Sequence, residues 1–221
     1  MERDLYDQTV KWIPRTFTLD NYRAKIVHMK YWEALRNSFI FSFSIATLQL
    51  ISCTLVGYGL ARFKFRGSTL IFGLAIFTLI VPPQIINLPL YLNFRFFTIW
   101  GLLPEPGIDL LGSYWPFILM AISGTGFNNG FFIYVMRQFF KGSPKSLEEA
   151  AYIDGANPLQ TFIRIMVPGA VPAFVIVFLF AFVWQWNDYF FTGMYMRGGV
   201  LLSHTLDVAA SNYAYALGRQ F

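Results

Sequence analysis

Four stretches of this 221-residue chain contain no Asp, Glu, Lys, Arg or His: residues 37–61, 67–94, 110–136 and 165–187. Each exceeds the ~20 residues that a helix needs to cross a hydrocarbon core of ~30 Å. The expected fold class is therefore all-α, a polytopic membrane helix bundle with four spans. Residues 208–218 are also uncharged, but that stretch is too short to add a fifth.

Composition agrees. Hydrophobic residues make up 56% and charged residues 13%, against about 25% charged in ordinary soluble domains. No carboxylate, lysine, arginine or histidine lies inside any of the four windows. Intramembrane charges cost about 2.5–3.5 kcal/mol on insertion scales and mark proton relays and hydrolytic sites, so their absence argues against a proton-coupled carrier and an intramembrane hydrolase. A glycine-rich Walker pattern ending in Gly-Lys-Ser or Gly-Lys-Thr is missing too, so the chain is not its own motor. Cys53 is the single cysteine, which rules out an intrachain disulfide, and with His28 and His204 isolated in sequence no Cys–His–carboxylate cluster is expected for zinc. No catalytic residue, metal or cofactor is expected.

Between the third and fourth windows lies residues 148–168, the most informative segment. Ser146 and Glu149 have capping-box spacing, which predicts a helix start there. Asp154-Gly155 ends that helix, and Asn157-Pro158 starts a second one with a polar cap and a proline at the first helical position. Ala150 and Ala151 are small enough for close backbone approach, and Gly155 permits a turn that side chains with a Cβ reach only at a cost. On these grounds alone the segment is either a docking element or an interfacial helix hairpin without a partner.

The spacing Glu149-Ala150-Ala151, three residues, Gly155, nine residues, Ile165-x-Val167-Pro168 resembles the cytoplasmic coupling loop of permease subunits of bacterial ABC importers. That pattern usually ends in Leu-Pro, and Val167 is the one departure. The resemblance implies a type I importer permease, of a family that usually has six spans, in the bacterial inner membrane. It also implies that Glu149, Ala150, Ala151, Asp154, Gly155, Ile165 and Pro168 form the loop that meets an ATPase. The implied partners are a cytoplasmic ATPase dimer, a second permease, an extracytoplasmic solute-binding protein, a sugar and the lipid bilayer, but no nucleic acid. Pro14-Arg15-Thr16-Phe17-Thr18-Leu19-Asp20-Asn21-Tyr22 is similar to the segment after the first span of sugar-type permeases. On that likeness the chain is expected to lack a first span at its start and a last one beyond Phe221. Amino-acid or peptide importer permeases, with a similar loop, and a non-transporting scaffold are the rival readings.

Domain limits follow: an outer segment 1–36, a permease core 37–191 that includes a cytoplasmic loop 138–166, and an outer segment 192–221. Arg62, Lys64 and Arg66 between the first two windows, with Arg137, Lys141, Lys145 and Arg164 around the coupling loop, place both loops inside by the positive-inside rule. The raw count opposes this, with ten basic residues outside and seven inside, because the first 36 residues alone carry seven. The pI near 9.3 belongs to these loops and their headgroup contacts.

Polar residues inside the windows are the candidates for a translocation path. Gly126-Phe127-Asn128-Asn129-Gly130 pairs a G-x-x-x-G spacing with two amides, which serves either helix packing or a path. Asn87, with Gln49 and Gln84, is a weaker candidate. Pro82, Pro83 and Pro89 interrupt the second window, as a packing kink or as a wall of a water-lined cavity. Trp184-Gln185-Trp186-Asn187-Asp188 resembles the outer end of a span in carbohydrate permeases. Asn187 and Asp188 suit a sugar or a helix cap, and most of the 25 phenylalanines are expected to be lipid-facing bulk.

Overall fold

The computed structural model describes residues 26–27, 29–98, 106–197 and 200–206. The Pro14–Tyr22 stretch and His28 lie outside them. The chain divides into two units, Met1–Ser38 with Val200–Phe221, and Phe39–Gly199. In the first, the Asn37 amide donates to Val200 O at 3.2 Å and Ser38 Oγ accepts from Leu202 N at 2.7 Å.

Helix α1 (Tyr31–Arg62, 32 residues) covers the whole first window. At 1.5 Å per residue it is about 48 Å long, and among the described residues it is the one helix long and apolar enough to cross a membrane unaided. The second window folds as α2 (Ser68–Ile80) and α3 (Pro83–Arg95), bent by 104°. Pro83 stands at the first position of α3, where its missing N–H costs nothing, and the Val81–Pro82 link supplies the extended backbone that forms the corner.

The third window is not a single span. It splits into α4 (Trp115–Ser123) and α5 (Asn129–Gly142). Gly124, at φ 72°, ends α4 with a Thr125 N–H to Met120 O bond, a left-handed helix stop. Asn128, at φ 65°, then precedes α5. The fourth window begins in a turn of π-helix (Phe162–Met166), runs through α8 (Val167–Gly169) and bends by 74° into α9 (Val171–Asn187). Between α5 and the π-turn lie α6 (Ser146–Ile153) and α7 (Pro158–Thr161), and α10 (Phe190–Met196) follows α9. With each bent pair taken as one span the described residues give up to three spans, not the expected four. Charge-free length locates apolar sequence but not its breaks. Among the described residues no strand forms, and a single isolated bridge pairs Phe97 with Ile108.

The core of the larger unit is the seam between α1, α5 and α9. Ala46 and Cys53 of α1 and Phe132, Ile133, Met136 and Phe140 of α5 meet Ala173, Val177 and Ala181 of α9. The three α9 residues recur every four positions, so one stripe of small side chains faces the seam. Lipid tails are as apolar as leucine, so close van der Waals contact between small residues drives such association. Gly130 does the same on the other side of α5, where an added Cβ would collide with Ala75 O and stand 2.6 Å from Thr78 Oγ1 of α2. The packing role weighed for the G-x-x-x-G pair therefore holds at Gly130. Gly126, by contrast, lies in the break before α5 and not in a helix.

Candidate functional site: a helix–turn–helix segment and a polar cavity

Helix α6 begins one residue earlier than a capping box at Ser146 requires. Lys145 is the cap residue, no side chain caps the helix, and Ser146 is its first helical residue. The expected box is therefore absent. The end of α6 follows expectation. Gly155 has φ 82°, and the Gly155 N–H to Tyr152 O and Ala156 N–H to Ala151 O bonds, 3.1 and 2.9 Å, close the helix as a Schellman motif. A full capping box does form on α7: Asn157 Oδ1 accepts from Gln160 N at 2.8 Å and Gln160 Oε1 from Asn157 N at 2.9 Å.

Of the expected loop residues, Ala151 is buried and Ile165 half-buried, whereas Glu149, Ala150, Asp154, Gly155 and Pro168 are exposed. Only Ala151 thus packs as a small residue within the chain. The segment also exposes large apolar side chains among its polar ones: Leu147, Tyr152, Ile153 and Leu159 lie open beside Glu149 and Asp154, Ile153 to 86%.

The inner face is tied down by charge. Glu148, next to the expected Glu149, is buried. Its Oε1 accepts from the Tyr58 hydroxyl at 3.1 Å and lies 3.2 Å from Arg62 Nε, and Arg62 Nη2 donates to Ser143 O at 2.9 Å. Beside the segment, Arg137 of α5 ties that helix to α1 and α2, donating from Nε to Leu60 O at 3.3 Å with its guanidinium 3.9 Å from the Phe72 ring centre, a cation–π arrangement.

Elsewhere in the same unit the broken third window and the end of α9 enclose a cavity of about 230 Å³. Gln49, Asn128, Gln185, Asn187 and Asp188 bring polar groups to its wall, and Phe117, Phe127, Phe132, Trp184 and Phe191 bring rings. Asn128 and Asn187 were expected at a path. Asn129, also expected there, is buried beside the cavity with neither amide atom hydrogen-bonded, as is Gln185 Nε2. Buried amides without partners are rare and call for a reason. Asn87 is buried in α3 and does not line the cavity. These rings stand apart from the phenylalanines expected as lipid-facing bulk. No spacing signalled them, because the rings come from α4, the break before α5, α5 itself, α9 and α10.

At the cavity's edge Asp188 caps α10, its two carboxylate oxygens accepting from Phe191 N at 3.1 Å and Thr192 N at 2.9 Å. The Asn187 amide donates to Val183 O at 2.8 Å. The cap role is therefore realised in Asp188. Tyr195, buried under the 106–114 loop whose Gly112 N bonds to Tyr195 O at 2.7 Å, has its phenol pushed up to about 12, by burial first and then by the Asp188 charge.

Residues 53–219 match the family described as binding-protein-dependent transport system inner membrane component. The chain belongs to that family. It is a membrane protein whose family serves transport. Similar relatives of this inner membrane component include the trehalose transport system permease protein SugB of Mycobacterium tuberculosis, 32% identical over 80% of this chain and 60% of the relative. The polygalacturonan/rhamnogalacturonan transport system permease protein YtcP of Bacillus subtilis is 32% identical over 84% of this chain and 58% of the relative. The chain spans about 60% of the length of the curated relatives it matches. A crystal structure of a bacterial ABC transporter involved in the import of the acidic polysaccharide alginate has the same fold, with a TM-score of 0.74 at 23% identity over 97% of this chain and 73% of that one.

Proposed function

We propose that this chain is the membrane-spanning permease subunit of an ATP-driven, binding-protein-dependent importer for a sugar or oligosaccharide in a bacterial inner membrane. Its segment 146–168 docks onto a separate ATPase subunit. ATP hydrolysis belongs to that partner, and a second permease and an extracytoplasmic binding protein complete the complex. The observation that carries this reading is the two-faced segment: buried Glu148 and Ala151 inside, with exposed Leu147, Tyr152, Ile153 and Leu159 outside. Large apolar side chains left exposed among the described residues suit a groove in another protein.

Relatives named for sugar transport support the substrate class. The cavity's chemistry supports it too: amides exchange hydrogen bonds with hydroxyl groups, and aromatic faces take the apolar C–H faces of a sugar ring. At about 230 Å³ the cavity is smaller than the ~300–1,000 Å³ of ordinary small-molecule pockets, which suits a passing ring better than a whole chain. Asn128 and Asn187 are the residues assigned to the path, with Asn129 behind them.

The test is reconstitution of the full transporter in proteoliposomes with ATP inside. Uptake of a neutral sugar that needs both ATP and loaded binding protein is the expected result. Sugar flux that ignores ATP would overturn the reading.

A further inference from the structure

The polar knot at Glu148 joins three parts of the fold. Tyr58 and Arg62 lie four residues apart on α1, one helical turn, and so share a face. Both reach Glu148 in the first turn of α6, and Arg62 also holds Ser143 O in the link between α5 and α6. The side chains of Arg62 and Glu148 are 6% and 12% exposed. The Tyr58 ring is wedged as well, 5.3 Å from the Phe140 ring and 4.6 Å from the Phe162 ring. A carboxylate in the first turn also meets the positive end of the α6 dipole.

Burial gives this knot a mechanical meaning. An exposed ion pair lets its partners slide past each other at little cost, because water replaces the lost contact. A buried one does not, because separating it strands a desolvated charge. The start of α6 therefore cannot move without carrying the end of α1 along. Ile153, 86% exposed, stands five residues on from Glu148 and so on the far side of α6, and a push there passes through about one helix diameter to the knot.

We propose that Glu148 is a positioning residue that locks the docking helix to α1, with Arg62 and Tyr58 as its two holders, so that movement of the loop is delivered to the membrane helix as one rigid displacement. This rests on segment 146–168 being the ATPase-docking element. Glu149, one residue on and exposed, is free for the partner, and Glu148 holds the chain's own helix.

The experiment uses the assembled transporter in proteoliposomes. It compares Glu148→Gln, Tyr58→Phe and the exchanged pair Arg62→Glu with Glu148→Arg, each also carrying Ile153→Cys for crosslinking to the ATPase. Two quantities are read: sugar accumulated per ATP hydrolysed, and crosslink yield. Glu148→Gln is expected to lower the ratio at least about fivefold, the lower end of a typical coupling between sites, with crosslinking retained. The exchanged pair is expected to recover part of that loss. An unchanged ratio in an assembled Glu148→Gln transporter overturns the proposal while the docking reading stands. If Glu148→Gln blocks assembly, Tyr58→Phe decides, since it removes one hydroxyl and keeps the ring: a lowered ratio supports the lock and a normal one overturns it. Absence of the Ile153→Cys crosslink in the otherwise unchanged protein overturns the docking reading instead.

Discussion

Gly57 of α1 and Met136 of α5 touch so closely that a Cβ built on Gly57 would stand 2.6 Å from the Met136 Cβ and 3.0 Å from Arg137 N. Two residues on, a Cβ on Gly59 would meet nothing within 4 Å. The same substitution at these neighbours should therefore act in opposite directions. Gly57→Ala forces α1 and α5 apart and should cost about 1–3 kcal/mol, as overpacking does. Gly59→Ala removes only the flexibility of glycine in a helix and should be neutral or gain up to about 1 kcal/mol. Thermal unfolding of the purified complex in detergent checks both.

Gly155 makes no close contact for an added Cβ, so its value is conformational. At φ 82° a β-branched residue is strained by about 1–2 kcal/mol or more. Gly155→Val should leave membrane insertion intact and abolish most ATP-driven uptake. Gly155→Asn, which tolerates the left-handed region, should keep much of it. Equal uptake in the two variants would remove the turn from the coupling mechanism.

The α7 cap offers a smaller effect. Asn157→Ala removes the side-chain acceptor that holds Gln160 N and should destabilise the segment by about 0.5–2 kcal/mol. Faster proteolysis of the loop in inverted vesicles, with the spans protected, is the expected readout.

Asn128 needs a substitution that respects its backbone. Because its φ is 65°, Asn128→Leu would mix lost chemistry with strain, whereas Asn128→Gly removes the amide and keeps the conformation. If this amide bonds to sugar hydroxyls in transit, Asn128→Gly should reduce uptake several-fold, in line with the ~0.5–1.5 kcal/mol of one hydrogen bond, with assembly and binding-protein docking unchanged. Normal uptake assigns Asn128 to the break before α5 alone.

The windows that identified a membrane protein were legible because hydrocarbon imposes a simple rule on composition. Their interruptions were less so. Gly126 and Asn128 are turn-forming residues in plain view, yet within an uncharged run they were part of a helix-packing pattern, and only Gly130 serves that purpose. The proline corner at residues 82–83 was readable because proline removes a specific hydrogen bond. Gly155 and the Asn157 cap were readable for the same local reason. Glu148 was not, because its burial depends on Tyr58, 90 residues away in sequence, and no local pattern separates it from the exposed Glu149. The cavity was half visible: amides in an apolar run stand out, but ring walls drawn from five separate parts of the chain do not.

Ala151, although central to the loop pattern, is buried at 4% and is a poor place for a probe. Ile153, at 86% exposure on the opposite face, is the better one. A transporter carrying Ile153→Cys, with a cysteine at the rim of the ATPase groove, should give a disulfide-linked permease–ATPase product under mild oxidation, at a yield that changes when ATP is added. No link to the binding protein should form. A crosslink to the binding protein, or none to the ATPase in an actively transporting complex, would contradict docking through segment 146–168.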